Sequence, residues 1–336
     1  MKSFPRPGNW LFIVPWIAFI PWYGMLITML ICWAAEGHPV YWFMHSHQFP
    51  VYISDIGATN LKPLFISCCA WQGLGYAITV ALEYFQRSGH WPFALPHVTD
   101  ADVLESEHVS RDRASSTSTS STGGSSSPTK HPKNTYYVEA LVQHKYVMPP
   151  FFTKHERNLV WASFVLACIG ELALLMCTIF STNTYPKVHK SMVGIFCAGF
   201  GLSAVCNIAQ YTTMGRHYAV VHPLCAAEDL GAETRWNHWR GHVWNKYTIS
   251  GCVKSFWLVA AFTWAICFCA VPNDSTNACF EWLLAFWFGL YFMVVSVDWY
   301  IGGRYRVSKY FNQIIISDNL SFYKYEQLKE KGVESV

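Results

Sequence analysis

The sequence predicts an all-α protein that crosses a membrane six times. Of its 336 residues, 52% are hydrophobic and only 13% are charged, which is about half the charged fraction of a soluble domain. The apolar residues fall in runs long enough to cross about 30 Å of hydrocarbon at 1.5 Å per helical residue. Because a segment in lipid must satisfy its own backbone hydrogen bonds, each run is expected to be a helix. The predicted spans are 11–33, 63–85, 158–180, 191–213, 252–271 and 280–301.

The distribution of basic residues predicts that both termini are cytosolic. Of the 24 Lys and Arg residues, all but Lys62, Lys187 and Lys190 fall on the side of the membrane that carries the termini. Basic residues near span ends mark the cytosolic side, and a basic cytosolic face attracts anionic inner-leaflet lipid. The net charge of +3 therefore reflects membrane topology, and we expect no nucleic-acid partner.

The first span, 11–33, is longer than the apolar region of a cleavable signal, so we expect it to be retained in the membrane. Several Trp residues lie at or near predicted span ends, where amphipathic rings collect at headgroup level, although a buried core would also use aromatics. They are Trp10, Trp16, Trp33, Trp91, Trp161, Trp282 and Trp299.

The first outer loop carries the sequence FPVYISDIGATNLKP at 49–63. Ser54 and Asp55 can each accept backbone N–H bonds, and Gly57 tolerates a positive φ. Pro63 suits the first turn of the second span, where a missing N–H carries no penalty. We therefore predict a compact, self-capped turn that leads the chain into the membrane.

The same loop also holds Glu36, His38, His45 and His47, which together with Asp55 could gather a metal ion or act as acid and base. His45 and His47 would face the same side only on a strand. The chain has no Gly-x-Ser-x-Gly elbow, His-Glu-x-x-His motif or phosphate-binding glycine loop. We predict no metal, no cofactor and no catalytic residue, with an enzyme or metal site in this loop as the alternative.

Two long connections lie on the predicted cytosolic side. The connection 86–157 contains the sequence ASSTSTSSTGGSSSPTK, so we predict a disordered Ser-rich insert at about 100–135 that is either an inert tether or a phosphorylation target. The loop 214–251 contains the sequence RWNHWRGHVWNKY. It is either an amphipathic connector or an interfacial helix against anionic lipid, and its candidate lipid-facing residues are Trp236, Trp239 and Arg240.

Polar residues inside the third and fourth spans form stripes. Ser203, Asn207 and Gln210 share one face of the fourth span, and Glu171 lies in the third. Because a short loop joins these spans, we expect them to be antiparallel neighbours, with Glu171 facing the fourth span near the depth of Ser203. A carboxylate at mid-bilayer costs roughly 2.5–3.5 kcal/mol and normally faces the bundle interior. The stripes are either interhelical contacts or a lipid-headgroup or proton site.

The sixth span ends near Asp298, and a polar, charged tail follows at 302–336. Arg304 and Arg306 come within a turn or two of Asp298, which predicts a local charge pair. We treat 1–301 as one transmembrane domain and the tail as a separate cytosolic segment.

Three stretches of this sequence resemble a known family. FPVYISDIGATNLKPLFI after a first span is similar to the first outer loop of the family that unites FGF-receptor-activating protein, the damage-regulated autophagy modulators and the yeast suppressor-of-four-kinase protein. VHKSMVGIFCAGFG at 188–201, which contains His189, resembles its entry into the fourth span. FWFGLYFMVVSVDW at 286–299 resembles its last span.

The long insert and extended tail are most similar to the fungal suppressor-of-four-kinase branch. That resemblance implies a plasma-membrane protein without catalysis of its own, which supports phosphatidylinositol 4-kinase recruitment, phosphoinositide synthesis and lipid asymmetry. Its basic cytosolic loops and tail would contact the kinase complex. Other branches imply two alternatives, a GPI-anchor lipid-remodelling protein and an autophagy modulator of the lysosome or vacuole. A Golgi membrane is a further alternative location.

Overall fold

The computed structural model describes residues 10–44, 48–88, 148–149, 151, 154–221 and 243–302. Within those residues it contains helices and no strand. The helices are α1 (Trp16–Ala35, preceded by a 3₁₀ turn, Leu11–Ile13), α2 (Ile53–Ile56), α3 (Lys62–Ser88), α4 (Lys154–Ile179), α5 (Pro186–Val221), α6 (Lys246–Ala270) and α7 (Asp274–Gly302). All except the short α2 are long and apolar enough to cross a membrane, which confirms the six predicted spans.

Some predictions fall outside the described residues. These are the Ser-rich insert at about 100–135, the tail beyond Gly302, and the loop residues Trp236, Trp239 and Arg240. The cytosolic placement of both termini stays a prediction. We call the end of the bundle that carries the start of α1 and the end of α7 the terminal end, and the opposite end the cap end.

Helix ends depend on capping as well as on hydropathy, and α6 shows the difference. Its apolar run begins at residue 252, but the helix begins at Lys246 because Asn245 caps it. The Asn245 Oδ1 atom accepts hydrogen bonds from the backbone N–H groups of Tyr247 (3.1 Å) and Thr248 (3.2 Å). Lys254, which hydropathy places at the membrane edge, therefore lies two turns inside a helix.

The six spans form a closed ring in which each helix packs most extensively against two neighbours. The contacting pairs are α1 with α3, α3 with α4, α4 with α5, α5 with α6, α6 with α7, and α7 with α1. Aromatic rings fill the centre, where Phe200 of α5 lies 4.9 Å from Tyr76 of α3 and 4.5 Å from Phe288 of α7, measured between ring centroids.

Helix α1 is attached to α7 by side-chain donors that reach backbone carbonyls. Trp22 Nε1 donates to the carbonyl of Ala285 (2.8 Å) and the Tyr23 hydroxyl to that of Phe286 (2.6 Å). Gly289 permits this approach, since a Cβ atom there would overlap the Tyr23 ring and crowd that of Trp22. These hydrogen bonds form without water competition, and they fix the rotation of α1 against the last span.

Five of the seven predicted interfacial Trp residues divide into two groups, while Trp16 is half-buried and Trp91 lies outside the described residues. Trp10 and Trp161 are exposed, as expected of rings at headgroup level. Trp33, Trp282 and Trp299 are buried and belong to the hydrophobic core. Composition could not separate the two groups, because a Trp near a span end faces either lipid or protein according to helix rotation.

Helices α4 and α5 approach most closely where two glycines meet. A Cβ atom on Gly199 would lie 2.9 Å from both the N and Cα atoms of Gly170, closer than a real side chain tolerates. The close approach of two backbones at small residues is a common way for membrane helices to pack.

We predict that Gly199→Ala lowers the thermal stability of the detergent-purified protein by about 1–3 kcal/mol, because the added methyl group forces the two backbones apart. Gly201→Ala is the matched control, since a Cβ atom at Gly201 meets nothing within 4 Å. It should leave the melting temperature unchanged or raise it. Equal melting temperatures for both variants would contradict close glycine packing.

Candidate functional site

A group of buried polar and charged side chains joins four helices in the half of the bundle near the terminal end. Glu83 of α3 accepts hydrogen bonds from Asn207 Nδ2 (3.1 Å) and Gln210 Nε2 (2.7 Å) of α5. Lys254 of α6 donates to Asn207 Oδ1 (2.6 Å). The Lys254 Nζ atom also lies 2.6 Å from Asp298 Oδ2 of α7. All five side chains are buried, and we call them the polar network.

The ammonium group of Lys254 is stabilised on three sides. Besides Asp298 and Asn207, it lies 3.3 Å from the centroid of the Tyr211 ring, a geometry that gives a cation–π interaction. Taking a charge out of water costs several kcal/mol even after relaxation, and good geometry with several partners is needed to offset that cost. The position of Lys254 therefore depends on α5 and α7 together.

A second buried ion pair lies close to the polar network. Arg87, near the end of α3, pairs with Glu156 in the first turn of α4. Arg87 Nε also donates to the carbonyl of Pro149 (3.0 Å), and its guanidinium lies 4.5 Å from the centroid of the Phe151 ring. The residues that precede α4 are thereby held against the end of α3.

The structure brings Asn207 and Gln210 together on Glu83, but it places Ser203 in a different contact. Ser203 Oγ lies 2.8 Å from Ser163 Oγ of α4 and 3.0 Å from the hydroxyl of Tyr76. The residues of the predicted stripe on α5 do form one buried face, and along its length this face contacts α3, α4 and α6.

The predicted orientation of Glu171 is wrong. Its Oε1 atom accepts a hydrogen bond from Gln72 Nε2 of α3 (3.1 Å), and it does not pair with the stripe on α5. Gly170 occupies the seam between α4 and α5, so the next residue along the helix turns by about 100° toward α3. Gly73 of α3 provides the space, since a Cβ atom there would lie 3.2 Å from Glu171 Oε2.

The predicted depth of Glu171 is also corrected. Ser203 pairs with Ser163, which lies eight residues before Glu171, or about 12 Å along the helix. Glu171 instead lies at the level where Gly170 meets Gly199. The loop between α4 and α5 forms a turn with its own hydrogen bonds, so counting residues inward from the predicted span ends misplaced the register.

Asp298 forms its ion pair with Lys254, a partner that sequence reasoning missed. The predicted partners, Arg304 and Arg306, lie outside the described residues. Glu83 was also missed, although it lies inside a predicted span and an ionisable residue there is a signal by itself. Lys254 carried the same signal, but its place at the edge of its apolar run made it look cytosolic.

At the cap end, the last helix holds the first loop. Glu281 Oε2 of α7 accepts a hydrogen bond from the backbone N–H of Ile53 (2.7 Å), and Trp282 Nε1 donates to the carbonyl of Val51 (2.9 Å). The backbone N–H of Phe49 donates to Ser275 Oγ (3.0 Å). We call residues 48–57 the cap.

The prediction that this loop caps its own turn is wrong. The residue at the N-cap of α2, Tyr52, makes no side-chain capping hydrogen bond, and the carboxylate of Glu281 takes that role. Asp55 accepts a hydrogen bond from Gln48 Nε2 (3.3 Å). Ser54 lies in α2, and its backbone N–H also bonds to Glu281.

The sequence predictions for Gly57 and Pro63 have different outcomes. Gly57 has a φ of −65°, so the expected positive φ is wrong. Glycine is required there for space, because a Cβ atom would overlap the ring of Phe65. Pro63 is the second residue of α3, in agreement with the prediction.

His189 has a local structural contact. Its Nδ1 atom lies 2.9 Å from the carbonyl oxygen of Cys177 and 3.1 Å from that of Phe180. Since both partners are acceptors, Nδ1 carries the proton and donates. His189 at the start of α5 therefore satisfies carbonyls at the end of α4, where a helix leaves its last C=O groups unpaired.

Metal binding gains no support from the described part of the chain. There, no group of three or more His, Cys, Asp or Glu side chains is placed to hold a metal ion. His45 and His47, two of the candidate ligands in the first outer loop, lie outside that part.

Comparisons with known proteins agree over most of the chain. The model of a family described as Frag1/DRAM/Sfk1/Cwh43P N-terminal domain matches residues 10–302. The chain is 55% identical over 341 residues to Protein SFK1 of Saccharomyces cerevisiae, covering 97% of this chain and 88% of that protein. It is 33% identical over 89 residues to Protein sfk1 of Schizosaccharomyces pombe, covering 26% of each. No solved structure matches it.

We predict that Lys254→Met lowers the free energy of unfolding by about 3–5 kcal/mol, because it leaves the carboxylate of Asp298 buried and uncompensated. The double variant Lys254→Met/Asp298→Asn should recover part of that loss, since both charges are then absent. Thermal unfolding in detergent measures both effects. Lys190→Met, at an exposed position, is the control. A double variant less stable than Lys254→Met would argue against the pair.

The cap should open more readily as the pH rises. Burial and, to a lesser degree, the nearby Asp274 raise the pKa of Asp55 from 3.8 to about 6. The closed cap therefore binds the Asp55 proton more tightly than the open loop, and the stability that this proton contributes is lost as the pH rises from 3.8 to about 6.

Hydrogen–deuterium exchange of residues 48–57, corrected for intrinsic exchange chemistry, measures this dependence. Glu281 also faces the loop, so Asp55→Asn isolates the contribution of Asp55 and should reduce the pH dependence between 3.8 and about 6. Exchange that slows as the pH rises would contradict the assigned direction.

Proposed function

The chain belongs to the Frag1/DRAM/Sfk1/Cwh43P family, and on that premise we propose that it is a non-enzymatic multi-pass regulator at the plasma membrane. Its role would be to support recruitment of a phosphatidylinositol 4-kinase complex, and through it phosphoinositide synthesis and lipid organisation. The contacts of the polar network support a scaffold more than a catalyst.

The buried charges in the described spans hold helices together, and this is the main support for the proposal. Glu83, Lys254 and Asp298 each contact a group on another helix, and Arg87 pairs with Glu156. A general acid or base must instead lie within hydrogen-bond reach of a reacting group. Side chains already engaged in this way favour a rigid bundle that presents its terminal end to a partner.

Helix α5 supplies a surface at that end. It has 36 residues and is about 54 Å long, well beyond the roughly 30 Å of the hydrocarbon core. The start of α6 is fixed to it, since Asn245 Nδ2 donates to the carbonyl of Gly215 (2.8 Å). We propose that this extension, with the basic loops and the tail, is where the kinase complex docks.

Anionic inner-leaflet lipid is the second proposed partner of the same end. The segments predicted to be cytosolic carry all but three of the 24 Lys and Arg residues, of which Arg87 and Lys254 are buried in ion pairs and do not face lipid headgroups. Each basic residue near an anionic surface contributes about 1 kcal/mol of attraction. Trp236, Trp239 and Arg240, in the loop that joins α5 to α6, are the proposed lipid contacts.

Two experiments separate this proposal from its rivals. Imaging a tagged chain distinguishes the plasma membrane from the lysosome, the vacuole and the Golgi. Incubating the purified protein with labelled GPI or ceramide substrates tests the lipid-remodelling alternative. Turnover of either substrate would overturn the non-enzymatic assignment.

We predict that deleting residues 303–336 reduces the amount of tagged phosphatidylinositol 4-kinase at the plasma membrane and lowers phosphatidylinositol 4-phosphate there. The truncated chain keeps all six spans and should reach the same membrane, which imaging of the chain itself checks. Deletion of the Ser-rich residues 114–130 is the control and should leave recruitment intact. Normal recruitment by the tail deletion would remove the role assigned to the tail.

A further inference from the structure

The loop that follows α1 exposes an aromatic side chain at the cap end of the bundle. Trp42 has 87% of its surface exposed, the largest fraction of any large apolar side chain in the described part of the chain. Its neighbours are also apolar: Val40 is exposed, and the rings of Tyr41 and Phe43 are stacked with centroids 5.6 Å apart. An indole so placed in water would leave its hydrophobic surface unburied.

The exposure of Trp42 is fixed by the fold on both sides of it. Before it, the Trp33 indole N–H donates to the carbonyl of Pro39 (3.3 Å). Around it, the backbone N–H of Met44 donates to the carbonyl of Tyr41 (3.0 Å), which closes a turn. Both Tyr41 and Met44 pack against the hydrophobic core. Trp42 therefore lies at the tip of a turn. The residues on both sides of it are fixed against the core, so its side chain stays exposed.

The position of this turn matches the edge of a bilayer. The first span, Leu11–Ala35, has 25 residues and a length of about 37 Å, so its end passes the roughly 30 Å of hydrocarbon and reaches the headgroup region. The hydrogen bond from Trp33, two residues before the end of α1, keeps the turn at that level.

Exposed aromatic rings occur at both ends of the bundle. Tyr185, between α4 and α5, is exposed at the cap end, and Trp10 and Trp244, which precede α1 and α6, are exposed at the terminal end. Indole and phenol rings collect at membrane–water boundaries, where one part of the ring is apolar and the other hydrogen-bonds to water or headgroups. Trp42 fits the boundary at the cap end.

We propose that the turn Pro39–Met44 is a lipid-binding anchor, in which Trp42 enters the leaflet at the cap end between the headgroups and the acyl chains. The ligand is the bilayer itself, recognised through the apolar face of the indole and its N–H. The anchor holds the first part of the loop against the membrane. The cap, which follows it in sequence, is held by α7.

Fluorine NMR of 5-fluorotryptophan-labelled protein in phosphatidylcholine nanodiscs tests the anchor. The Trp42 signal is identified by its loss in Trp42→Phe, and unchanged positions of the remaining Trp signals show that this variant is folded. Lipid that carries a nitroxide near the headgroup should broaden the Trp42 signal beyond detection. A gadolinium chelate in the water should broaden it much less.

Trp71, exposed in the middle of α3, is the internal depth reference and is assigned by Trp71→Phe. Its signal should respond most to a nitroxide deep in the acyl chains, and that of Trp42 to the shallow one. A Trp42 signal broadened by the aqueous chelate and not by either lipid would overturn the proposal. Such a result would leave the turn as a surface for another protein.

Discussion

A charge that lies inside a bilayer must be accompanied by its partners, and in this protein that requirement determines how the spans are arranged. Lys254 can be buried only because Asp298 of α7 and Asn207 of α5 meet it from two directions. Glu83 extends the same contacts to α3. The relative rotations of these four helices are thereby constrained by one set of hydrogen bonds and an ion pair.

Helix α7 is the element on which both ends of the bundle depend. At the terminal end it contributes Asp298 to the polar network, and at the cap end it contributes Glu281 and Trp282 to the first loop. Between them, the backbone carbonyls of Ala285 and Phe286 receive donors from α1. A change of register in this helix would disturb both ends at once, so the cap and the polar network are linked through one continuous helix, Asp274–Gly302.

Run length and composition predicted the six spans well, and the family resemblance rested on motifs at residues 49–66, 188–201 and 286–299. What could not be predicted was the direction in which each side chain faces. Glu171 turns to α3 because Gly170 fills the seam with α5, and a stripe on one helix does not reveal that neighbour. Glu83 and Lys254 were visible as charges at apolar segments, but their pairing depends on a closed ring of helices. The group that caps α2 lies 228 residues further along the chain, so no local sequence motif could predict it.

The long-range attachment of the cap has a consequence for biogenesis. With both termini cytosolic, as the basic residues predict, the first loop crosses the membrane early in synthesis, whereas Ser275, Glu281 and Trp282, which hold it, are 226 to 231 residues further along. A ribosome must therefore complete almost the entire transmembrane domain before this loop can close. A stalled or truncated chain displays an open loop, while a finished one does not. Closure of the loop thus distinguishes a completely inserted polypeptide from an incomplete one. A quality-control factor on that side of the membrane would be able to recognise the open loop.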